Sequence, residues 1–173
     1  MKNFILIVSL SFLFGCKQEI KAPKSINREN VAVESYTINE NIVEELLGFP
    51  AIGDDIRKVE LTAFTLEKVM RNNIHDSKIV DTIYQYKKGS NNFEFYKASD
   101  KYILQKFIIA GNELSLKNNI KIGLSKLEIG KLLNVENNKS DTIKVGDLEQ
   151  NSIVNFIFKN EKLHEILYCG YID

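Results

Sequence analysis

Between Ile153 and Lys159 the apolar side chains fall at every second position, Val154, Phe156 and Phe158, with Asn155 between them. A two-residue period suits a strand that buries one face and leaves the other in water, and it fits no helix. The run is followed by Lys159-Asn160-Glu161-Lys162, a tight-turn sequence, and then by a second strand-like run from Leu163 to Ile172. The same grammar recurs earlier in the chain. Asp81 to Lys87 passes through Lys88-Gly89-Ser90-Asn91 into Asn92 to Lys97, where Phe93 and Phe95 alternate. Ala98-Ser99-Asp100 then leads to Tyr102 to Ala110. Gly111-Asn112 suggests a turn into a short strand at Glu113 to Leu116, and Asp141 to Val145 supplies a further strand. Hairpin chemistry at each short connection makes antiparallel pairing the expectation.

Helical periods are few and brief. Ile42, Val43, Leu46 and Leu47 recur at helical spacing, with Asn39 or Asn41 able to cap the start, Gly48 to end it and Pro50 beyond. Leu66, Val69, Met70 and Ile74 share one helical face behind Thr65, which predicts a second helix over Thr65 to Ile74. Ser125 and Glu128 have the spacing of a capping box, followed by Leu127, Ile129, Leu132 and Leu133 in a helix ending near Asn134. The expected class is therefore α+β, with antiparallel meander sheets and short helices packed on one face. Thr65 and Ser125, Asp81-Thr82-Ile83 and Asp141-Thr142-Ile143, and the paired phenylalanines line up at nearly one offset. This suggests two helix-plus-three-strand repeats, spanning 60–111 and 122–172.

The amino terminus imposes a different constraint. Lys2 precedes an apolar run from Phe4 to Phe14 that ends in Leu13-Phe14-Gly15-Cys16. This is the layout of a secretory signal peptide, and the run is shorter than the roughly 20 residues a membrane-spanning helix needs. The site resembles the lipobox of bacterial lipoproteins, with Leu13 at −3 and Gly15 at −1. The resemblance implies cleavage between Gly15 and Cys16 and lipid attachment at the Cys16 thiol. Two or more acyl chains would hold the protein on a membrane almost permanently. Lys17 at +2, in place of an inner-membrane retention aspartate, implies the outer membrane. Lys17-Gln18-Glu19 resembles part of a Bacteroidota surface-export signal, so both the periplasmic and the outer side stay open. Residues 1–15 are then a removed signal, 16–37 a polar tether containing Pro23, and 38–173 a single domain.

Over all 173 residues the composition is ordinary for a globular domain: 44% of residues are hydrophobic, 27% are charged, and the 23 basic and 23 acidic residues balance before the signal takes one lysine away. Without a basic excess there is no electrostatic case for nucleic acid. Once Cys16 is lipidated only Cys169 is left, so no intramolecular disulfide is expected and the fold must stand on its core.

One longer stretch carries a family resemblance. Ile120-Lys121-Ile122-Gly123-Leu124-Ser125-Lys126-Leu127-Glu128, a short helix, and then Phe156-Ile157-Phe158-Lys159-Asn160-Glu161-Lys162-Leu163 through Ile166 resemble the β-lactamase-inhibitor-protein-like fold. That group includes outer-membrane lipoproteins of the SmpA/OmlA type, whose hairpin has glycine where this chain has Glu161. The resemblance implies a protein-binding domain and not an enzyme.

An inventory of chemistry agrees. The histidines are His75 and His164, and neither a zinc pattern, a calcium loop, a nucleophile elbow nor a phosphate-binding glycine loop occurs, so no catalytic residue, metal or cofactor is expected. Cys169 and His164 share the last strand at odd spacing, which on a regular strand turns them to opposite faces, and Cys169 reads as a small buried thiol. Asp54-Asp55 and Glu44-Glu45 read as solvated charge, since adjacent carboxylates do not flank one sugar bond. Aromatics supply the remaining candidate: Tyr84, Tyr86, Tyr96 and Tyr102, which could form a protein-binding face, or equally half-buried packing. The leading expectation is a non-enzymatic binding or assembly lipoprotein whose partners are the membrane, through Cys16, and another envelope protein. A ligand carrier or envelope hydrolase with a pocket in a cupped sheet, and an inhibitor or immunity protein, are the alternatives. Oligomeric state is left open.

Overall fold

The computed structural model describes residues 36–53, 61, 63–73, 76–97, 101–114, 116–135 and 139–170. The cleavage and lipid site at Gly15 and Cys16, most of the tether, Asp54-Asp55, Ile74 and His75 lie outside the described residues. One sheet of nine strands organises everything else. Its strands are β1 (Tyr36–Ile38), β2 (Ile52–Gly53), β3 (Thr65–Asn72), β4 (Val80–Lys88), β5 (Asn91–Lys97), β6 (Tyr102–Ile109), β7 (Thr142–Gly146), β8 (Ile153–Lys159) and β9 (Lys162–Cys169). Two short helices complete it, α1 (Ile42–Leu47) and α2 (Lys126–Leu132). The order across the sheet is β1-β7-β8-β9-β6-β5-β4-β3, with β2 beside β6. All pairs are antiparallel except β1 with β7. The α+β expectation therefore holds, in a chain that is mostly strand. Tyr36 and Thr37, expected in the tether, already belong to β1.

A four-stranded meander, β3-β4-β5-β6, and a three-stranded one, β7-β8-β9, meet where β6 pairs with β9 from Lys106↔Cys169 to Ile109↔Ile166. The β8–β9 turn has Asn160 at φ 51° and Glu161 at φ 58°. Positive φ at both central residues matches the right-handed twist of the flanking strands, which is why the turn holds although Glu161 has no glycine freedom. Each meander contains a bulge. Gln105 is extra between Glu94↔Lys106 and Phe95↔Leu104, and His164 is extra between Ile157↔Glu165 and Phe158↔Leu163. An extra residue restores the inward phase. Leu104 and Phe107 consequently both reach the core, as do Leu163 and Ile166, at a spacing a regular strand could not use.

Thr65 to Asn72 is a correction: it forms β3 and not a helix, paired with β4 through eight registered positions from Thr65↔Lys87 to Asn72↔Val80. Its apolar residues mimic a helical stripe, yet its other faces carry nothing a helix could bury. Pairing along β4 satisfies its backbone, and tertiary context overrides the local pattern. The two proposed repeat units therefore do not share a helix. The matched Asp-Thr-Ile triplets also differ: Ile143 lies in the core, whereas Ile83 is on the other side of the sheet. Of the short strand expected over Glu113 to Leu116, the described residues Glu113, Leu114 and Leu116 lie in no strand.

Both helices cover the same face. Ile42, Val43 and Leu46 of α1 and Ile129 of α2 join Phe93, Phe95, Leu104, Phe107, Ile143, Val154, Phe156, Ile166 and Tyr168 in one core cluster. The expected inward set on β8 is confirmed, with Val154 and Phe156 fully buried and Phe158 4% exposed. At the start of α1 the Asn41 N–H donates to Asn39 Oδ1 at 2.9 Å, so Asn39 is the side chain that fixes this end. Gly48 ends α1 in the left-handed region at φ 77°, where its N–H reaches the Glu44 carbonyl. At α2 the expected capping box is present: Glu128 N–H donates to Ser125 Oγ at 3.2 Å, and Ser125 N–H to Glu128 Oε2 at 2.8 Å. Of the four apolar residues predicted for this helix, Leu127 and Leu132 stay exposed. Among the described residues no helix is long and apolar enough to cross a membrane.

Candidate protein-binding surface

Alternation along each strand sends the remaining side chains to the other face, where among the described residues no helix packs. Register pairing sets them in rows. One row runs Ile103, Tyr96, Ile83, Val69 across β6, β5, β4 and β3. The next runs Ile153, Cys169, Lys106, Glu94, Gln85 and Glu67 from β8 to β3. Asn155, Leu167, Ile108 and Asn92 form a third. Ile83 is 3% exposed yet stands outside the core cluster. Ile103, Ile108, Ile153 and Leu167 are half-buried.

The polar groups on this face are fixed. Glu94 accepts from Gln85 Nε2 at 3.2 Å and Asn92 Nδ2 at 3.4 Å, and lies 3.6 Å from the Arg71 guanidinium. Asp81 accepts from Tyr96 Oη at 3.0 Å and Asn73 Nδ2 at 3.0 Å. Desolvation first, then the hydrogen bond to Asp81 and its charge, raise the Tyr96 phenol above its ordinary value. Asn92 Oδ1 is buried and meets no donor among the described residues. This face therefore combines unfilled apolar contact area with preorganised acceptors.

The four tyrosines do not make one surface. Tyr84, Tyr86 and Tyr102 lie on the helix side, since Tyr84 and Tyr86 are opposite Phe95 and Phe93, and all three pack on the core. Tyr84 and Tyr102 meet edge to face at 5.3 Å, Tyr86 and Phe95 likewise at 5.9 Å, and Lys68 Nζ sits 5.2 Å over the Tyr84 ring. Burial, then the neighbouring Tyr84, raises the Tyr86 phenol. Tyr96 alone of the four faces the other way. Alternation between Tyr84 and Tyr86 was visible in the sequence; what set their side was not.

The bulge at His164 also corrects the reasoning on Cys169, because one inserted residue brings odd-spaced positions back to one face. The imidazole and thiol still cannot react together: five residues (169 − 164) of extended chain separate them by about 16 Å. Cys169, expected as a small buried thiol, is half-buried. Glu44 and Glu45 lie in the first turn of α1. A cavity of about 290 Å³ opens beside α1, lined by Asn39, Glu40, Glu44, Asp147, Ser152 and Tyr168 among others. It lies at the small end of ligand pockets, roughly 300 to 1,000 Å³, and the Ser152 hydroxyl in its wall accepts from Tyr168 Oη at 3.4 Å. Among the described residues no group of three or more His, Cys, Asp or Glu is placed to hold a metal ion.

Sequence reasoning missed Ile103, Ile108 and Leu167. The available signal was that Tyr102 to Ile109 is apolar in both phases, as a strand needs when it carries apolar side chains on both faces. No family model, no curated protein and no solved structure matches this chain.

Proposed function

We propose that this chain is an outer-membrane lipoprotein, anchored through Cys16, whose domain is a non-enzymatic module that holds another envelope protein on the helix-free face of its sheet. The observation that carries the reading is that face: half-buried Ile103, Ile108, Ile153 and Leu167 surround a row that holds Lys106 and the hydrogen-bonded Glu94, an arrangement with apolar area to bury and a carboxylate already oriented. Leu13 to Cys16 and Lys17 support the address. An inhibitor or immunity role would use the same surface and differs only in its target. A hydrolase reading has less support, because the Ser152 hydroxyl in the cavity beside α1 bonds to Tyr168 and, among the described residues, to no base.

Affinity capture from crosslinked envelopes tests the proposal. The parent should retain a stoichiometric protein, and Ile108→Ser combined with Leu167→Ser should lose it while keeping a cooperative thermal transition. Undiminished capture by that folded variant would remove the face from consideration. A small molecule co-purifying in the domain, with no protein retained, would favour the carrier.

A further inference from the structure

The outer edge of β3 is the longest unpaired stretch of backbone in the sheet among the described residues. At the opposite end β1 is three residues long. An eight-residue strand with one side of its hydrogen-bonding groups unused by the described residues is a template for another strand. Seven of its eight residues are exposed, including Leu66 and Met70, so neither of its faces is buried in its own domain.

We infer that the partner of this edge is a second copy of the chain, paired β3 to β3 antiparallel about a two-fold axis at Val69. Charge complementarity along the edge selects this pairing. A two-fold axis normal to the sheet must pass through a residue-to-residue pair, which allows only a few registers. With Val69 opposite itself, Glu67 faces Arg71 of the second copy and Arg71 faces its Glu67, so two opposite-charge pairs flank an apolar contact. On the other face Lys68 meets Met70 and Leu66 meets Asn72. Moving the axis to Lys68 sets that lysine against its own copy. Moving it to Met70 places Arg71 opposite Val69 and abolishes both ion pairs. Axes at Glu67 or Arg71 set like charges together. Like charges directly opposite are destabilising and opposite charges stabilising, so one register is selected.

Contacts within each copy extend the pattern. Glu67 lies 2.8 Å from Lys87 Nζ, and Arg71 lies 3.6 Å from Glu94. Across the axis the charges would then run Glu94, Arg71, Glu67, Lys87, alternating in sign over both copies. This pairing uses the edge and leaves the helix-free face open, so it goes beyond the binding reading and can fail independently of it.

Charge exchange in the full acylated chain, measured by light scattering in mild detergent, tests it. The parent should be a dimer. Glu67→Arg or Arg71→Glu alone sets like charges opposite at both positions and should weaken dimerisation about tenfold or more. The double variant E67R/R71E should recover it. An equimolar mixture of the two single variants should form a mixed dimer, because each then presents the charge the other lacks. Thermal transitions of all variants establish that the fold is kept. A parent that stays monomeric, single variants that dimerise as well as the parent, or a double variant and mixture that do not recover would each overturn the inference.

Discussion

Tyr168 lies nearly parallel to Phe107, with ring centroids 5.2 Å apart and planes 21° apart, across the seam where β9 pairs with β6. These two rings join the halves of the sheet. Burial is the main cause of a raised Tyr168 phenol pKa, above the ordinary 10.0. A phenol whose folded pKa is raised contributes stability that is fully present below pH 10 and is lost as pH rises through the folded pKa. Tyr168→Phe should therefore show a shallower alkaline loss of stability than the parent. Below pH 9 the two should agree within about 1 kcal/mol, since the bond to Ser152 Oγ is long at 3.4 Å. Urea titrations at pH 8 and pH 11 measure this, and equal alkaline slopes would count against it.

Phe156 is fully buried at the centre of β8. Phe156→Ala should cost about 3 to 5 kcal/mol through lost transfer free energy and the cavity left behind. Ile157→Ala, on the opposite face of the same strand, should cost clearly less. Equal losses in thermal unfolding would contradict the assignment of faces.

The capping box should give α2 a pH signature. Hydrogen bonds from the Ser125 hydroxyl and N–H hold the Glu128 carboxyl below its ordinary range. A lowered folded pKa contributes stability that is present above the unfolded pKa and is lost as pH falls through the folded value. Ser125→Ala should cost about 1 kcal/mol at neutral pH. The gap between parent and variant should narrow in acid; a constant gap from pH 7 to pH 2 would separate the cap from the carboxylate.

Tyr84 and Tyr86 lean on the core. Replacing both with serine should destabilise the domain by about 3 kcal/mol or more. Capture by the fraction that stays folded should be unchanged. If stability hardly moved while partner capture fell, these two rings would be an interface after all.

Cys16→Ala should release the protein from membranes and abolish incorporation of labelled acyl chains. Fractionation of cells carrying parent and variant decides this, and a variant that stays as membrane-bound and labelled as the parent would refute the anchor.

The sequence alone determined the local elements whose signals are physical and short-range. Alternation in Val154, Phe156 and Phe158 set a one-sided strand, Asn160-Glu161 a tight turn, and Ser125 with Glu128 a helix start, because each depends on residues within a few positions. The tertiary structure decided what depends on neighbours far along the chain. Leu66, Val69 and Met70 have helical spacing, yet β4 draws them into a strand by satisfying their backbone through pairing. Gln105 and His164 enter as bulges, which shift the phase of the strands they interrupt and so settle which of Leu104, Phe107, Leu163 and Ile166 face inward. The helix-free face was hidden for the same reason. Ile103, Leu167 and Ile108 are simply apolar residues in a sequence, and only the position of α1 and α2 sets them on the face where, among the described residues, no helix packs.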